Sequence, residues 1–370
     1  MSVMGRLFGR AALMVPVMLF VLPLGQAMAQ MLPLEIPFLD EWAASPHSRI
    51  TAEAFNHWNK DGMVPPACAK CHSTYGFQDF IGDDGSTPGK VDKPALAGSV
   101  IGCVACHNPT TAKLTSVTFP SGKTVTGLGK EAICMTCHQG RAHTGTVEEA
   151  VKGMDADTPS KKLRFINIHY RAAAATRYGT DAKGGYEYAG KAYKGYDPHD
   201  EGVALCSDCH SRHTVQVEVA SCNLCHRSVK TKKDYGKIRR SKADFDGDGD
   251  VKEGIAKEIE ALHGELMGAM QSYSAKVLKN PIGYNAHQYP YFFGDKNADG
   301  KIDHDEAVRA NGFKGWTPRL LKAAYNYQYV AKDPGAYTHN PAYVIQLLRD
   351  SLADLAQKVP VKMAGKARPE

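Results

Sequence analysis

The chain is 370 residues long, with 45 Lys and Arg against 39 Asp and Glu and a formal net charge of +6. That length admits two domains, and the small positive excess is too weak to mark a nucleic-acid-binding protein. Beyond residue 29 no stretch is apolar enough to span a bilayer as a helix, and that part is not expected to be membrane-embedded.

Residues 1–29 read as a secretory signal peptide. Arg6 and Arg10 supply its positive start, an apolar run extends from Ala11 to Leu24, and Ala27-Met28-Ala29 gives a small-residue cleavage site before Gln30. No cysteine lies near that site, so no lipoprotein anchor is expected. The expected mature chain is exported, periplasmic or extracellular, and loses Arg6 and Arg10 with the signal, so that +6 falls to +4.

From Leu34 to Lys60 a loop leads into a helix over TAEAFNHWNK, with Thr51 as N-cap and His47 and His57 near its two ends. Pro65-Pro66 stops that helix. A first Cys-x-x-Cys-His motif follows at Cys68, Cys71 and His72. Asp83 to Lys93, rich in Gly, Pro and Asp, reads as a loop. The second motif is Cys103, Cys106 and His107. SVTFPSGKTVT then alternates β-branched residues around Pro120-Ser121-Gly122, a hairpin pattern. The third motif is Cys134, Cys137 and His138, with His143 five residues beyond.

Next, NIHYRAAAATRY predicts a helix over 167–178 from its alanines. GGYEYAGKAYKGY predicts a hairpin or a packed loop, with His169 and His199 on either side and its tyrosines read as packing groups. The fourth motif, Cys206, Cys209 and His210, and the fifth, Cys222, Cys225 and His226, are separated by a short segment that contains His213.

Arg227 to Lys242 carries eight basic side chains and one acidic and reads as a solvated connector, with a docking surface for an acidic redox partner as the alternative. No cysteine follows. The expected organisation is therefore a signal peptide over 1–29, a motif-bearing domain over 30–240 and a helical C-terminal region over 241–370 that packs on it.

In that last region Asp295, Asn297, Asp299, Lys301 through its carbonyl, Asp303 and Glu306 match a calcium loop of the EF-hand type, with Gly300 at the sharp turn. A second loop has Asp244, Asp246, Asp248 and Asp250 but places Ile255 where the bidentate glutamate belongs, so Glu253 or Glu258 would have to substitute. Three helices surround these loops. Ile255, Ile259, Leu262, Leu266, Met270 and Tyr273 mark one apolar face, Thr317-Pro318 caps a second helix, and Asn340-Pro341 caps a third.

The five motifs use all ten cysteines in the chain. In an exported protein this pentapeptide signals covalent attachment of haem c: the two thiols form thioethers to one porphyrin, and the adjacent histidine becomes an iron ligand. A redox dithiol or half a zinc site can mimic one copy, and a disulfide framework could use the cysteines, but neither needs a histidine after every second cysteine. The expected cofactors are five haems c, with one calcium ion and a weaker second. Haem propionates would offset the remaining +4.

Fifteen histidines less five proximal ones leave ten for five distal positions. A histidine on both faces of every haem favours electron transfer over chemistry at iron. The distal candidates are His57, His169, His199, His213 and His339, with His47 in reserve and His143, His263, His287 and His304 ranked lower. His213 lies three residues after His210, too close to cross to the far face of the same haem. It should serve a neighbour.

The five motifs, the AFNHW segment before CAKCH, the CHQGR run, the NIHY and GGYEY segments, CSDCHSRH and HNPAYVIQLLRDSL together resemble exported bacterial multihaem c-type cytochromes. The resemblance covers most of the mature chain. It implies bis-histidine haems in a row, little regular secondary structure, and electron transfer outside the cytoplasm between a redox protein donor and acceptor. Some members are enzymes, among them nitrite, hydroxylamine and tetrathionate-type reductases or oxidases, which commonly carry a Cys-x-x-Cys-Lys motif or an open site; no such motif occurs here. The expected fold is mainly α with extensive loops and small β-hairpins, a core organised by covalent haems and a helical C-terminal part. Two other classes stay open: an oxidoreductase acting on a small inorganic substrate at one open haem, and a homo-oligomeric subunit of a conductive filament.

Overall fold

The computed structural model describes residues 35–199 and 203–370; the signal-peptide reading for 1–29 lies outside them. The chain divides at Leu39 into two compact units. The first contributes residues 35–39, where the Leu39 amide donates to the Ile36 carbonyl (3.3 Å). The short helix α1 (Leu39–Ala43) begins at the division.

The fold is mainly α with long irregular segments and three small antiparallel sheets. Helix α2 (Glu53–Asn56) is shorter than expected: Ala52 stands at its N-cap without a side-chain bond, and the Thr51 carbonyl accepts from the Asn56 side-chain Nδ2 (2.9 Å). Strand β1 (Met63–Val64) precedes α3 (Pro66–His72). Pro66 therefore starts a helix where the sequence suggested only a stop. Proline at the first helical position loses no hydrogen bond and has its φ already set. Helix α4 (Thr74–Ile81), capped by Ser73 Oγ, packs on α3, and β2 (Ala95–Leu96) pairs with β1.

Helix α5 (Cys103–Cys106) carries the second motif. The expected hairpin is present as β3 (Val117–Thr118) and β4 (Thr124–Val125), with Val117 opposite Val125. Helix α6 (Glu131–Cys137) holds the third motif, α7 (Thr144–Val151) follows, and α8 (Ala173–Tyr178) covers only the second half of the predicted 167–178 helix. The missing turn has a backbone cause. His169 and Arg171 adopt φ of 78° and 55°, a region costly for non-glycine residues and incompatible with an α-helix. The Arg141 and Arg171 amides hold this stretch by donating to the Ile168 and Lys332 carbonyls (3.0 and 2.8 Å). The cysteines of the fourth motif lie on α9 (Cys206–Cys209), whereas of the fifth only Cys222 lies on α10 (Val219–Asn223), Cys225 and His226 following its end.

The C-terminal helices are α11 (Ile255–Lys276), α12 (Pro318–Ala331), α13 (Ala336–His339) and α14 (Pro341–Leu355), with the strand pair β5 (Ile282–Tyr284) and β6 (Phe292–Gly294) between α11 and α12. The predicted face of α11 is buried: Leu262, Leu266, Met270 and Tyr273 meet Trp316, Leu320, Val344, Leu348 and Leu352. Each such side chain contributes about 1.5–3 kcal/mol on removal from water. A second face of α12 and α14 presents Tyr325, Tyr329, Tyr343 and Leu347 to Ala132, Met135, Ile168 and Tyr186.

Of the two readings of GGYEY, the packed loop is the one observed. Asn326 accepts from the Tyr186 amide (2.7 Å) and donates to the Tyr186 carbonyl (3.0 Å), Tyr343 Oη accepts from the Gly185 amide (3.0 Å), and Tyr325 Oη donates to the Gly184 carbonyl (2.7 Å). A Cβ on Gly185 would meet Leu347 Cδ1 at 2.3 Å, so only glycine lets this backbone lie against α14.

Candidate haem sites and acidic loops

A helical turn places cysteines at i and i+3 on one face, with the histidine at i+4 above them. In three motifs the imidazole orientation is fixed by its second nitrogen. His72 Nδ1 donates to the Ala54 carbonyl (2.7 Å), His138 Nδ1 to Arg171 (3.0 Å) and His210 Nδ1 to Val215 (3.0 Å). A carbonyl only accepts, so the proton sits on Nδ1 and Nε2 keeps the lone pair a metal needs. Burial then lowers the pKa of His72 and His138, keeping them neutral.

Opposite four of the five motif histidines stands a second histidine ring. His72 faces His169 with ring centroids 5.7 Å apart and Nε2 atoms 3.4 Å apart. His107 faces His213 at 6.1 Å with the rings within 16° of parallel, His138 faces His47 at 6.3 Å, and His226 faces His199 at 6.0 Å. Two metal–imidazole bonds of about 2 Å in line hold the nitrogens about 4 Å apart and the centroids about 6 Å apart. The centroid spacing of all four pairs is near that of two imidazoles sharing a metal ion. Desolvation pushes His47 and His169 down to about 4, with His138 the next cause for His47 and His72 for His169.

His57 is elsewhere. Its Nδ1 bonds exposed Glu53 (2.7 Å), and its ring packs edge-on against Trp58 (4.8 Å). His47, the reserve candidate, is the ring that faces His138, and the Ile101 amide donates to its carbonyl (3.1 Å). His339 is largely buried, and its Nδ1 donates to the Asp333 carboxylate (2.9 Å). Burial alone would lower its pKa, but Asp333 outweighs that and raises it. Nearby Arg177 bonds Glu131 (3.0 Å) and the carbonyl of Ala204, just ahead of the fourth motif. Of the lower-ranked histidines, His143 caps α7 and His263 stacks on Tyr327 at 3.9 Å. His287 and His304 lie on exposed turns.

The third motif lies between others. Cys137 sits against Cys71, its Sγ 3.6 Å from the Lys70 carbonyl, and Cys134 is hydrogen-bonded to Cys206. Helix α6 accordingly packs on both α3 and α9, and α10 packs on α9.

The acidic loops share one backbone design. In the first, Ala298 and Gly300 have φ of 59° and 84°; in the second, Gly247 and Gly249 have 78° and 95°. Asp295 Oδ2 accepts from the Gly300 amide (2.7 Å) as Asp244 Oδ2 does from Gly249 (2.8 Å). Glu306 Oε1 accepts from the Lys296 amide (2.7 Å) and Oε2 from Asp303 (3.1 Å). Asp295 is 4 % exposed, and its Oδ1 is buried with no hydrogen-bond partner. The first loop follows β6 and is succeeded by no α-helix before Pro318, so the helix–loop–helix of a full EF-hand is absent.

In the second loop Asp250 is exposed and outside the cluster; the carboxylates that converge are Asp244, Asp246 and Glu258, and Asp246, Asp248 and Glu253. Glu258 accepts from the Phe245 amide (2.8 Å), matching Glu306 on Lys296, while its other oxygen pairs with Arg239. Glu253 Oε1 is buried without a partner. Arg239, expected in a solvated connector, is thus a buried ion-pair partner.

Residues 53–139 match the family described as cytochrome c7 and related cytochrome c. The chain is 26 % identical over 366 aligned residues to the C-type polyheme cytochrome OmcB of Geobacter sulfurreducens, covering 82 % of this chain and 45 % of that one. It is 26 % identical over 374 residues to the C-type polyheme cytochrome OmcC of the same organism, covering 82 % and 44 %. The chain therefore spans less than half the length of these relatives. Among solved structures, the outer cell wall cytochrome OcwA aligns with a TM-score of 0.43 and 15 % identity over 86 % of this chain and 50 % of that one. No helix among the described residues is long and apolar enough to cross a membrane. Residues 53–139 thus match a cytochrome c7-type multihaem domain, and the chain is similar over most of its length to polyheme c-type cytochromes.

Proposed function

We propose that this chain is a five-haem electron carrier working outside the cytoplasm. The observation that carries the reading is the set of four motif histidines facing a second imidazole at 5.7–6.3 Å. Haem c bound at these motifs supplies single-electron exchange between ferric and ferrous iron. The thiols of Cys68 and Cys71, Cys103 and Cys106, Cys134 and Cys137, Cys206 and Cys209, and Cys222 and Cys225 attach it. His72, His107, His138, His210 and His226 would each supply one imidazole to an iron, and His169, His213, His47, His339 and His199 respectively would supply the second. His339 is assigned to the fourth haem as the remaining ligand, supported by the Asp333 bond that leaves its Nε2 free and by Arg177 beside the fourth motif. A closed coordination shell at each iron favours relay between redox proteins over a reaction with substrate.

Calcium belongs to the same reading. Asp295, Asn297, Asp299, Lys301, Asp303 and Glu306 hold one ion, supported by the buried, unpartnered Asp295 oxygen. The second loop is the weaker site, with Asp244, Asp246, Asp248 and Glu253 as its carboxylates and Glu258 bracing the turn.

Haem content by reduced pyridine spectra, followed by a redox titration with optical and electron-spin detection, tests the proposal. Five haems per chain, all low-spin and inert to carbon monoxide, are expected. Fewer than five, or a high-spin haem that binds carbon monoxide, overturns the closed five-haem relay and favours an open catalytic site.

A further inference from the structure

Lys332 is a buried cation that the ligand assignments leave unused. It lies at the C-terminal end of α12, is 3 % exposed, and has no carboxylate partner among the described residues. Its Nζ sits 3.7 Å from the centroid of the Tyr170 ring and 4.1 Å from that of Tyr291, and donates to the Ala286 carbonyl (3.3 Å). Two aromatic faces stabilise an ammonium and do nothing for a neutral amine. Burial lowers the Lys332 pKa from the usual lysine range, which identifies a charge held out of water.

The position of this charge gives it a target. Tyr170 is the immediate neighbour of His169, with ring centroids 5.9 Å apart, and His169 faces His72. The Lys332 carbonyl also accepts from the Arg171 amide (2.8 Å), so the same residue fixes the turn that presents His169. Arg141 adds a second positive charge acting on both imidazoles. His339, by contrast, has the carboxylate of Asp333 on its Nδ1.

We infer that Lys332 is a positioning and potential-setting residue for the haem held by His72 and His169, raising its reduction potential with an uncompensated positive charge in a low-dielectric setting. A net positive charge on the iron centre is disfavoured beside a fixed ammonium, so the ferrous state gains relative to the ferric. The inference rests on the proposed ligation by His169.

Potentiometric titration of the haem-loaded chain with electron-spin detection tests it in three variants. His169→Met identifies the haem by the low-spin signal it removes. Lys332→Met, which keeps the stem and loses the charge, should lower the midpoint of that same haem by at least tenfold in its reduction equilibrium, or 59 mV for one electron, with its g-values unchanged. Lys332→Arg should hold the wild-type midpoint. An unchanged midpoint in Lys332→Met, an equal shift in both lysine variants, altered g-values, or a shift confined to another haem overturns the inference while the ligation stands. If His169→Met removes no signal, the ligation itself fails and the inference with it.

Discussion

What holds the spare nitrogen of each imidazole sets how firmly its ligand nitrogen is aimed. His72, His138 and His210 lean on main-chain carbonyls, which hold the ring without adding charge. His339 leans on a carboxylate. His213, expected to serve a neighbouring haem, has its ring centroid 6.1 Å from that of His107, a motif histidine more than a hundred residues upstream, which supports the proposed ligation. That expectation needed only the short reach between His210 and His213. His57 bonds Glu53 and packs on Trp58 while His47 faces His138, and sequence proximity to the first motif carries no information about which segment folds across another motif. His47→Met should therefore alter one low-spin signal and shift one midpoint, while His57→Met leaves every signal as in wild type. Electron-spin spectra of the oxidised variants measure this, and the reverse pattern would restore His57.

At the scale of elements, the long C-terminal helices were legible and the short middle one was not. Thr317 and Asn340 accept from the Leu320 and Tyr343 amides (3.2 and 3.0 Å), as their caps require, and apolar periodicity marks the buried face of α11. Helix α8 was misjudged because alanine content carries no information about a turn locked at positive φ by distant carbonyls. Asn340 does more than cap: its Nδ2 donates to the Gly195 carbonyl (2.9 Å) and so ties α14 to the loop after GGYEY. Asn340→Ala should cost about 2 kcal/mol, the upper end for a lost cap, in a denaturant titration of the haem-loaded chain. A loss no larger than that of exposed-surface changes, about 0.5 kcal/mol, would mean that neither bond matters.

The whole molecule is held by contacts between segments far apart in sequence, which local patterns do not encode. GGYEY docks on α12 and α14 through Asn326 and Tyr343, and Arg319 joins Asp157 (2.7 Å) to Asp354. Burial alone would raise the pKa of Asp157, but Arg319, Lys358 and Tyr273 outweigh it and hold the group down to about 2. The first acidic loop, the proposed calcium site, is fastened to α11, with Gln271 Nε2 donating to the Gly300 carbonyl (2.6 Å). Calcium at a hundred times its dissociation constant stabilises by about 2.7 kcal/mol, so chelation should lower the melting temperature without changing the haem spectra. Glu306→Gln should show most of that loss before any chelator is added; an unchanged melting temperature on chelation would remove calcium from the account. The third motif, set between its neighbours, bears on how such a molecule is made. Cys137 holds the Cys71 thiol down to about 7 by hydrogen bonding, and Cys134 and Cys206 form a second pair across motifs. A low thiol pKa means more of the reactive thiolate. In an apo chain exposed to an oxidant, a cross-link between these motifs would block two of the proposed attachment sites at once, so under the proposed haem attachment thioether formation is favoured ahead of folding.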